Sequence, residues 1–531
     1  MTDSLVGLKA SLRDAATSLD DDSIPWKSLV LYLVLGVYAF ETWLSARQYK
    51  CYSYPSPPAS LVKHVDIDTY RKSQSYGRDK AQFGFVAGVW GLVNALVVIY
   101  FDLMPLVWSW AGQALRGAGF RQTEITQSIA FTFIFSLIRE ALDMPLSYYS
   151  HFVLEEAHGF NKMTRSTFVL DFFKGLAIGV VFMGPLIAGL IAIIRWAGTE
   201  GFVFWVLVFV AAFQIILQIL YPTVIQPLFN KLTPLADGPL KSRVQALASS
   251  LRFPLAKIYQ IDGSKRSAHS NAYFFGVLPW TNKHIVIFDT LLNKSTCSEI
   301  EAILAHELGH WKNRDPTKLL ALAQVQIAMT FTVFAVFIDN RSLFKAFGFS
   351  AQPYLPIIIG LELFQMVVAP LDSVLKFINN SAVRRMEYAA DAFAARTLRP
   401  AFDEAQIDEL QAESQTASSE TVTAADKNND DAEKEQVDAE TKTAKDAPKG
   451  EPSPSERLEL ELSQVSEPYD ELLAKALIKL HVQNLSTFHY DALYSAYNHS
   501  HPTLPERLAA LQKLRPELEK ERSKGESKKG Q

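Results

Sequence analysis

The sequence predicts a mostly α-helical, multi-pass membrane protein with a metal-hydrolase motif in its polar part. Three observations predict this. Seven apolar blocks recur along the chain, most of them long enough to cross about 30 Å of hydrocarbon as a helix. Two long polar regions interrupt or follow these blocks, and one of them holds "HELGH" on a helical pattern. The 531-residue chain is 49% hydrophobic with 34 Phe, and its mean hydropathy is positive, which is high for a soluble enzyme. A net charge of −4 gives no basic signal, so no nucleic-acid partner is expected. Two cysteines, Cys51 and Cys297, exclude a disulfide scaffold and suit a reducing compartment.

The predicted spans are 26–44, 81–103, 127–150, 166–195, 201–221, 317–338 and 353–377. Any one of them could be a buried core helix, but seven such blocks in one chain argue against that reading. The first follows Asp20, Asp21 and Asp22 rather than a basic stretch, and no small-residue cleavage site follows it, so it reads as an anchor and not a cleaved signal. Arg47, Lys50, Lys63, Arg71, Lys72, Arg78 and Lys80 follow the first span, whereas only Arg116 and Arg121 follow the second and Arg341 and Lys345 the sixth. By the positive-inside rule the odd-numbered loops and the C-terminus are cytosolic and the N-terminus lumenal. Arg139, Glu140, Asp143, Asp171, Lys174, Gln324, Gln326, Glu362 and Gln365 fall inside spans. Groups this costly in lipid face protein or water, either as helix–helix pairs or around a polar interior space.

The stretch 298–312, "SEIEAILAHELGHWK", reads as a helix with Ser298 at its N-cap and Glu299 and Glu301 in its first turn. His306 and His310 are then i and i+4 on one face, at a spacing that lets two imidazoles ligate one zinc ion. Glu307 stands beside them as a general base toward a water activated by the metal. A catalytic zinc needs a third protein ligand and an open position. The stretch 380–396, "NSAVRRMEYAADAFAAR", offers Glu387 and, one turn on, Asp391. Glu387 would complete a His₂Glu set, and Asp391 would accept a hydrogen bond from a ligand histidine. The alternative for Glu387 is a surface pair with Arg384 or Arg385. Two predicted crossings separate the two helices, which puts both on one side of the membrane.

These motifs resemble those of the type I CaaX prenyl endopeptidases, integral-membrane zinc metalloproteases of the endoplasmic reticulum and nuclear envelope. The resemblance is carried by "HELGHWK" (306–312), "RRMEYAADAFA" (384–394), "GSKRSAHSNAYFFG" (263–276), "SHPTLPERLAAL" (500–511), "EEAHGFNKMT" (155–164) and "YPTVIQPLFNKLTPL" (221–235). It implies one Zn²⁺ per chain held by His306, His310 and Glu387, with Glu307 as base and Asp391 behind the ligands. It implies further that His501 stabilises the oxyanion, that Arg507 orders the site through a carboxylate, and that Asn271 and Ala272 clamp the substrate backbone. An edge strand at "SNAYFFG" has a physical rationale, since it can pair with an extended peptide; an ordinary core strand is the alternative. For the fold, the resemblance implies seven helices forming a hollow barrel, capped by a gluzincin-type domain with a small β element.

The resulting division is a lumenal N-terminus (1–25), spans one to five (26–221), and a cytosolic loop with the H-E-x-x-H half of the protease domain (222–316). Spans six and seven (317–377) follow, then the second half of that domain in two pieces (378–403 and 468–517). Between those pieces lies an acidic insertion (404–467) that is too polar to order itself and reads as disordered; a basic tail (518–531) ends the chain. The implied activity is removal of the last three residues of prenylated CaaX proteins, with a second upstream cut in some substrates. A prenyl chain partitions into membrane lipid, which gives a protease reason to sit there. The alternatives are a quality-control membrane zinc protease without a prenyl requirement, and a seven-helix receptor or transporter, for which H-E-x-x-H has no use. Substrate identity, substrate entry and oligomeric state are not written in these motifs.

Overall fold

Helices dominate because most of the chain must satisfy its backbone hydrogen bonds within apolar segments, where water offers no partner. The structure, a computed structural model, describes residues 2–276, 281–350, 354–397, 460, 463–464 and 467–529. The helices in chain order are α1 Thr2–Leu19, α2 Trp26–Cys51, α3 Ile67–Tyr100, α4 Leu103–Gly117, α5 Glu124–Tyr149, α6 Arg165–Leu220, α7 Gln226–Phe229, α8 Pro239–Ser250 and α9 Asp289–Lys294. They continue with α10 Cys297–Lys312, α11 Asp315–Phe337, α12 Arg341–Ala346, α13 Ile357–Arg396, α14 Tyr469–Gln483, α15 Ala492–Asn498 and α16 Leu504–Lys529. Four strands, β1 Leu232–Pro234, β2 Leu255–Ile261, β3 Ala272–Phe275 and β4 Lys283–Phe288, form one sheet in the order β1-β2-β4-β3.

The chain divides into two compact units. The first comprises Met1–Phe229, Pro316–Arg384 and Leu485–Thr503. Six stretches among the described residues are long and apolar enough to cross a membrane: α2, α3, Arg165–Thr199, Gly201–Phe229, α11 and α13. They correspond to six of the seven predicted spans. The predicted third span is α5, a 26-residue helix that carries Arg139, Glu140 and Asp143 and is not among the six. At 1.5 Å per residue it is about 39 Å long, enough to cross. The predicted fourth and fifth spans run together as α6, which breaks at Gly198; its φ of 67° is one that glycine alone adopts freely. Aromatic and branched side chains fill the core of this unit, among them Trp26, Trp108, Phe131, Phe202, Phe334 and Phe364.

Polar residues within the helices of this unit find partners. Gln324 Nε2 donates to Gln214 Oε1 at 2.6 Å, and Gln326 Nε2 to Asn379 Oδ1 at 2.5 Å. Gln326 and Asn379 also line a cavity of about 550 Å³ together with Thr330, Asp372, Lys376 and Asn380. Both readings of the intramembrane polar groups, pairing and polar space, therefore apply to Gln326.

The second unit comprises Asn230–Asp315, Arg385–Asn484 and Leu504–Gln531. The sheet is mixed: β2 runs parallel to β4, and β1 and β3 pair antiparallel at the two edges. Ile258, Ile285, Ile287, Ile300, Leu304 and Leu472 lie in its core. α10 is pinned there by a buried ion pair. Arg243 Nη2 donates to Glu301 Oε2 at 2.7 Å, and the Tyr469 hydroxyl donates to Glu301 Oε1 at 2.8 Å.

Four boundaries differ from those read in the sequence. The N-cap of α10 is Thr296 and not Ser298, because Thr296 and Glu299 form a reciprocal capping box: Glu299 N–H donates to Thr296 Oγ1, and Thr296 N–H to Glu299 Oε2. The second motif helix is not a separate element; α13 runs unbroken for 40 residues through both the last predicted span and Asp391. Most of the acidic insertion 404–467 lies outside the described residues. Its end packs, however: Gln464 is buried and accepts a 2.7 Å bond from the Thr296 hydroxyl. Likewise Leu518, placed in the basic tail, is buried as α16 continues.

Candidate metal centre

Two helices of the second unit build the site. α10 presents His306 and His310 from consecutive turns, and the C-terminal part of α13 presents Glu387 and Asp391 from consecutive turns. They approach closely because residue 309 is glycine. A Cβ there would stand 3.1 Å from both Cα and O of Ala390 and 3.2 Å from the Phe393 ring.

Three ligand-type atoms meet as a result. His306 Nε2 and His310 Nε2 are 3.2 Å apart. Glu387 Oε2 is 3.5 Å from His306 Nε2, and Glu387 Oε1 is 3.4 Å from His310 Nε2. Ligands at about 2.0–2.1 Å around a tetrahedral zinc are about 3.3–3.4 Å from one another, so the triangle has the size such an ion requires. Glu387 is 3% exposed, which removes the surface-pair alternative; Arg384 instead donates to Ser495 Oγ and to the His501 carbonyl.

The protons tell the same story. His306 Nδ1 lies 2.8 Å from Asp391 Oδ1, and His310 Nδ1 lies 3.0 Å from Asp315 Oδ2. If each Nδ1–H donates to its carboxylate, both Nε2 atoms carry lone pairs and face each other and a carboxylate. Such an arrangement needs a cation among its members, whether a metal or a proton. Burial alone would lower the His306 pKa, but hydrogen bonds to Asp391 and Glu387 outweigh it and raise it to about 9. His310 is shifted the same way, with burial opposing and Glu387 and Asp315 favouring its protonated form. Burial pushes the Glu307 carboxyl upward, against the pull of the two histidines. Burial would also raise Asp391, but Arg507 and His306 hold it below the usual carboxylate range. Arg507, in the first turn of α16, forks onto this carboxylate through Nε (2.8 Å) and Nη2 (2.5 Å).

The structure thus brings His306, His310, Glu387, Asp391 and Arg507 together. Among the described residues, His306, His310 and Glu387 are the group of three that could hold a metal ion, their ligand atoms all within 4.8 Å of one another. Asn271 and Ala272 lie at the start of the edge strand β3, against which α10 packs. The Asn271 carbonyl is already engaged by Phe288 N–H at 3.1 Å, so by strand alternation Ala272 turns its backbone to the open edge. His501 belongs to the first unit, where it is exposed, with Ser500 Oγ 3.0 Å from its Nδ1. Sequence reasoning missed Asp315 and Gly309. Pro316 and the polar "NRD" before it mark the end of α10, but nothing local says which way Asp315 then points.

The profile for the CAAX prenyl protease N-terminal region, with five membrane helices, matches residues 48–231, and that of peptidase family M48 matches residues 234–515. CAAX prenyl protease 1 of Saccharomyces cerevisiae is 35% identical over 514 residues, covering 94% of this chain and 98% of its own. The chain belongs to the CAAX prenyl protease 1 family. The mouse homologue is 37% identical over 409 residues, covering 69% of this chain and 85% of its own. The crystal structure of S. mikatae Ste24p matches with a TM-score of 0.74 at 34% identity, over 92% of this chain and 99% of that one. The protein is therefore a multi-pass membrane metalloprotease, and the two family profiles meet near the start of its second unit.

Proposed function

We propose that this protein is a zinc metalloendopeptidase that removes the C-terminal three residues, -aaX, from prenylated CaaX proteins. The observation that carries the reading is the 3.2–3.5 Å triangle of His306, His310 and Glu387 atoms, in a chain whose relatives bear the name CAAX prenyl protease 1. A zinc ion held by these residues would supply a Lewis acid that acidifies a water and polarises the scissile carbonyl. Glu307, its carboxyl raised by burial, takes the proton of the attacking water and passes it to the leaving amine. Asp391 holds the His306 ring through Nδ1, and Arg507 fixes Asp391. Ala272 hydrogen-bonds the extended substrate backbone at the open edge of β3, with the Asn271 side chain beside it, and His501 donates to the developing oxyanion.

The enzyme resides in the endoplasmic reticulum membrane and nuclear envelope, with the metal site and C-terminus cytosolic. The Lys and Arg distribution supports this orientation. The glycosylation sequons at Asn293, Asn379, Asn484 and Asn498 then face the cytosol. The remaining sequon, at Asn340, is buried, its side chain donating to the Leu19 carbonyl. Two measurements test the proposal. Purified protein should contain one zinc per chain, and a single peptide should be cleaved three residues from its end when farnesylated and left intact when not. Equal cleavage of both forms would identify a general membrane protease instead. A C-terminal tag should be open to added protease in intact microsomes.

A further inference from the structure

The turn between α10 and α11 puts a carboxylate on the second histidine of the motif. α10 ends at Lys312, Asn313 caps it, Arg314 takes a left-handed φ of 57°, and Asp315 opens α11. Had α10 simply continued, residue 315 would lie about 140° around the helix axis from His310, and its side chain would face elsewhere. The break at Arg314 brings it back. Asp315 Oδ2 reaches to 3.0 Å from His310 Nδ1, and Asp315 is 2% exposed. His306 has the matching contact with Asp391 at 2.8 Å. Each imidazole thus turns Nδ1 to a carboxylate and Nε2 to the shared triangle.

We infer that Asp315 is a positioning residue for the metal centre: it accepts the Nδ1–H of His310 and so holds Nε2 as the free lone pair. The inference rests on the ligand reading of His306, His310 and Glu387. A neutral imidazole has one ring proton. Without a fixed acceptor it divides between two tautomers and two ring orientations, and only one combination presents a lone pair to the metal. A carboxylate partner selects that combination and strengthens the nitrogen as a donor. Asp315 does this from a particular place, because it is the first residue of a membrane helix, Asp315–Phe337. The orientation of one metal ligand is therefore tied to where that helix begins, and a shift of its start by about 1 Å would carry the 3.0 Å contact beyond hydrogen-bond reach.

The test uses the full-length protein in detergent, as wild type, Asp315→Asn and Asp315→Ala. Zinc affinity is measured by chelator competition, together with melting of the metal-stripped protein and the absorption spectrum of the cobalt-substituted protein. Zinc should bind about 10-fold more weakly in the Asn variant and up to about 100-fold more weakly in the Ala variant. The cobalt bands should move in both. Metal-stripped Asp315→Asn should still fold but melt below wild type at neutral pH, since Asp315 there pairs with a protonated His310; the affinity and the spectrum therefore decide. A merely structural role would lower the melting temperature and leave the affinity and spectrum of the folded protein unchanged. That result, or affinities within about twofold of wild type in both variants, would overturn the inference. Wild-type protein that binds no zinc would overturn the ligand reading itself, and this inference with it.

Discussion

Gly309→Ala separates the stability of the fold from the geometry of the metal site. The new Cβ would sit 3.1 Å from the Cα and O of Ala390, both backbone atoms, where ordinary contact begins at 3.4 Å. Neither atom can swing aside, so α10 and α13 must part by a few tenths of an ångström. The histidines ride on one helix and Glu387 on the other, so the 3.4 and 3.5 Å edges of the triangle lengthen together. Metal sites tolerate only about ±0.2 Å in ligand distance. A misplacement of about 1 Å costs about 100-fold in rate, so a third to a half of that should cost about 5- to 10-fold in kcat. Zinc affinity should fall by about 10-fold or more, as when a ligand's support is lost. Stability should fall by no more than about 2 kcal/mol, because Ala gains about 1 kcal/mol of helix propensity while overpacking costs about 1–3 kcal/mol. Chelator competition, thermal melting of the metal-stripped protein and turnover of a prenylated peptide measure the three effects. Wild-type zinc affinity and kcat in a folded Gly309→Ala protein would refute the argument that this contact sets the bite of the site.

Other outcomes follow from the same geometry. Glu307→Gln should keep its zinc and lose nearly all turnover, because the ligands survive and the base does not; near-normal kcat would remove the role. Glu387→Ala should lose zinc in metal analysis, whereas Asp391→Ala should weaken binding by about 10–100-fold, and full occupancy in the first would exclude Glu387 as a ligand. Zinc must displace the proton that the carboxylates hold on His306, so zinc affinity should rise with pH until about 9. The metal-free fold runs the other way: the stability from this raised pKa is fully present below the ordinary histidine value of 6.5 and lost as pH rises through about 9. Flat zinc affinity between neutrality and that pH would contradict the proton assignment. Deleting 404–459 should leave activity intact, while extending the deletion through Gln464 should destabilise the protein, since that side chain is buried against the N-cap of α10; equal melting temperatures for the two deletions would argue against the contact.

What the sequence determined by itself was periodic or local. Apolar blocks longer than a bilayer is thick declare spans, because length and hydropathy suffice when water is absent. The i, i+4 spacing of His306 and His310, and of Glu387 and Asp391, fixes a shared face on each helix before any packing is known. The capping box at Thr296 and Glu299 is a local motif too, yet the sequence reading places the cap at Ser298, two residues on, and the structure corrects it. Other features could be decided only by the tertiary structure, since they depend on where distant segments meet. Glu387 could have paired with Arg384 or Arg385 on a solvated face until the close approach at Gly309 carried it to the histidines. Arg507 lies 116 residues from Asp391, and nothing in either stretch specifies their 2.8 Å bond. Asp315 is only five residues from His310, yet its contact depends on the left-handed φ of Arg314, which ends one helix before the next begins. Periodicity tells which side of a helix a residue faces, but only packing tells what stands opposite it.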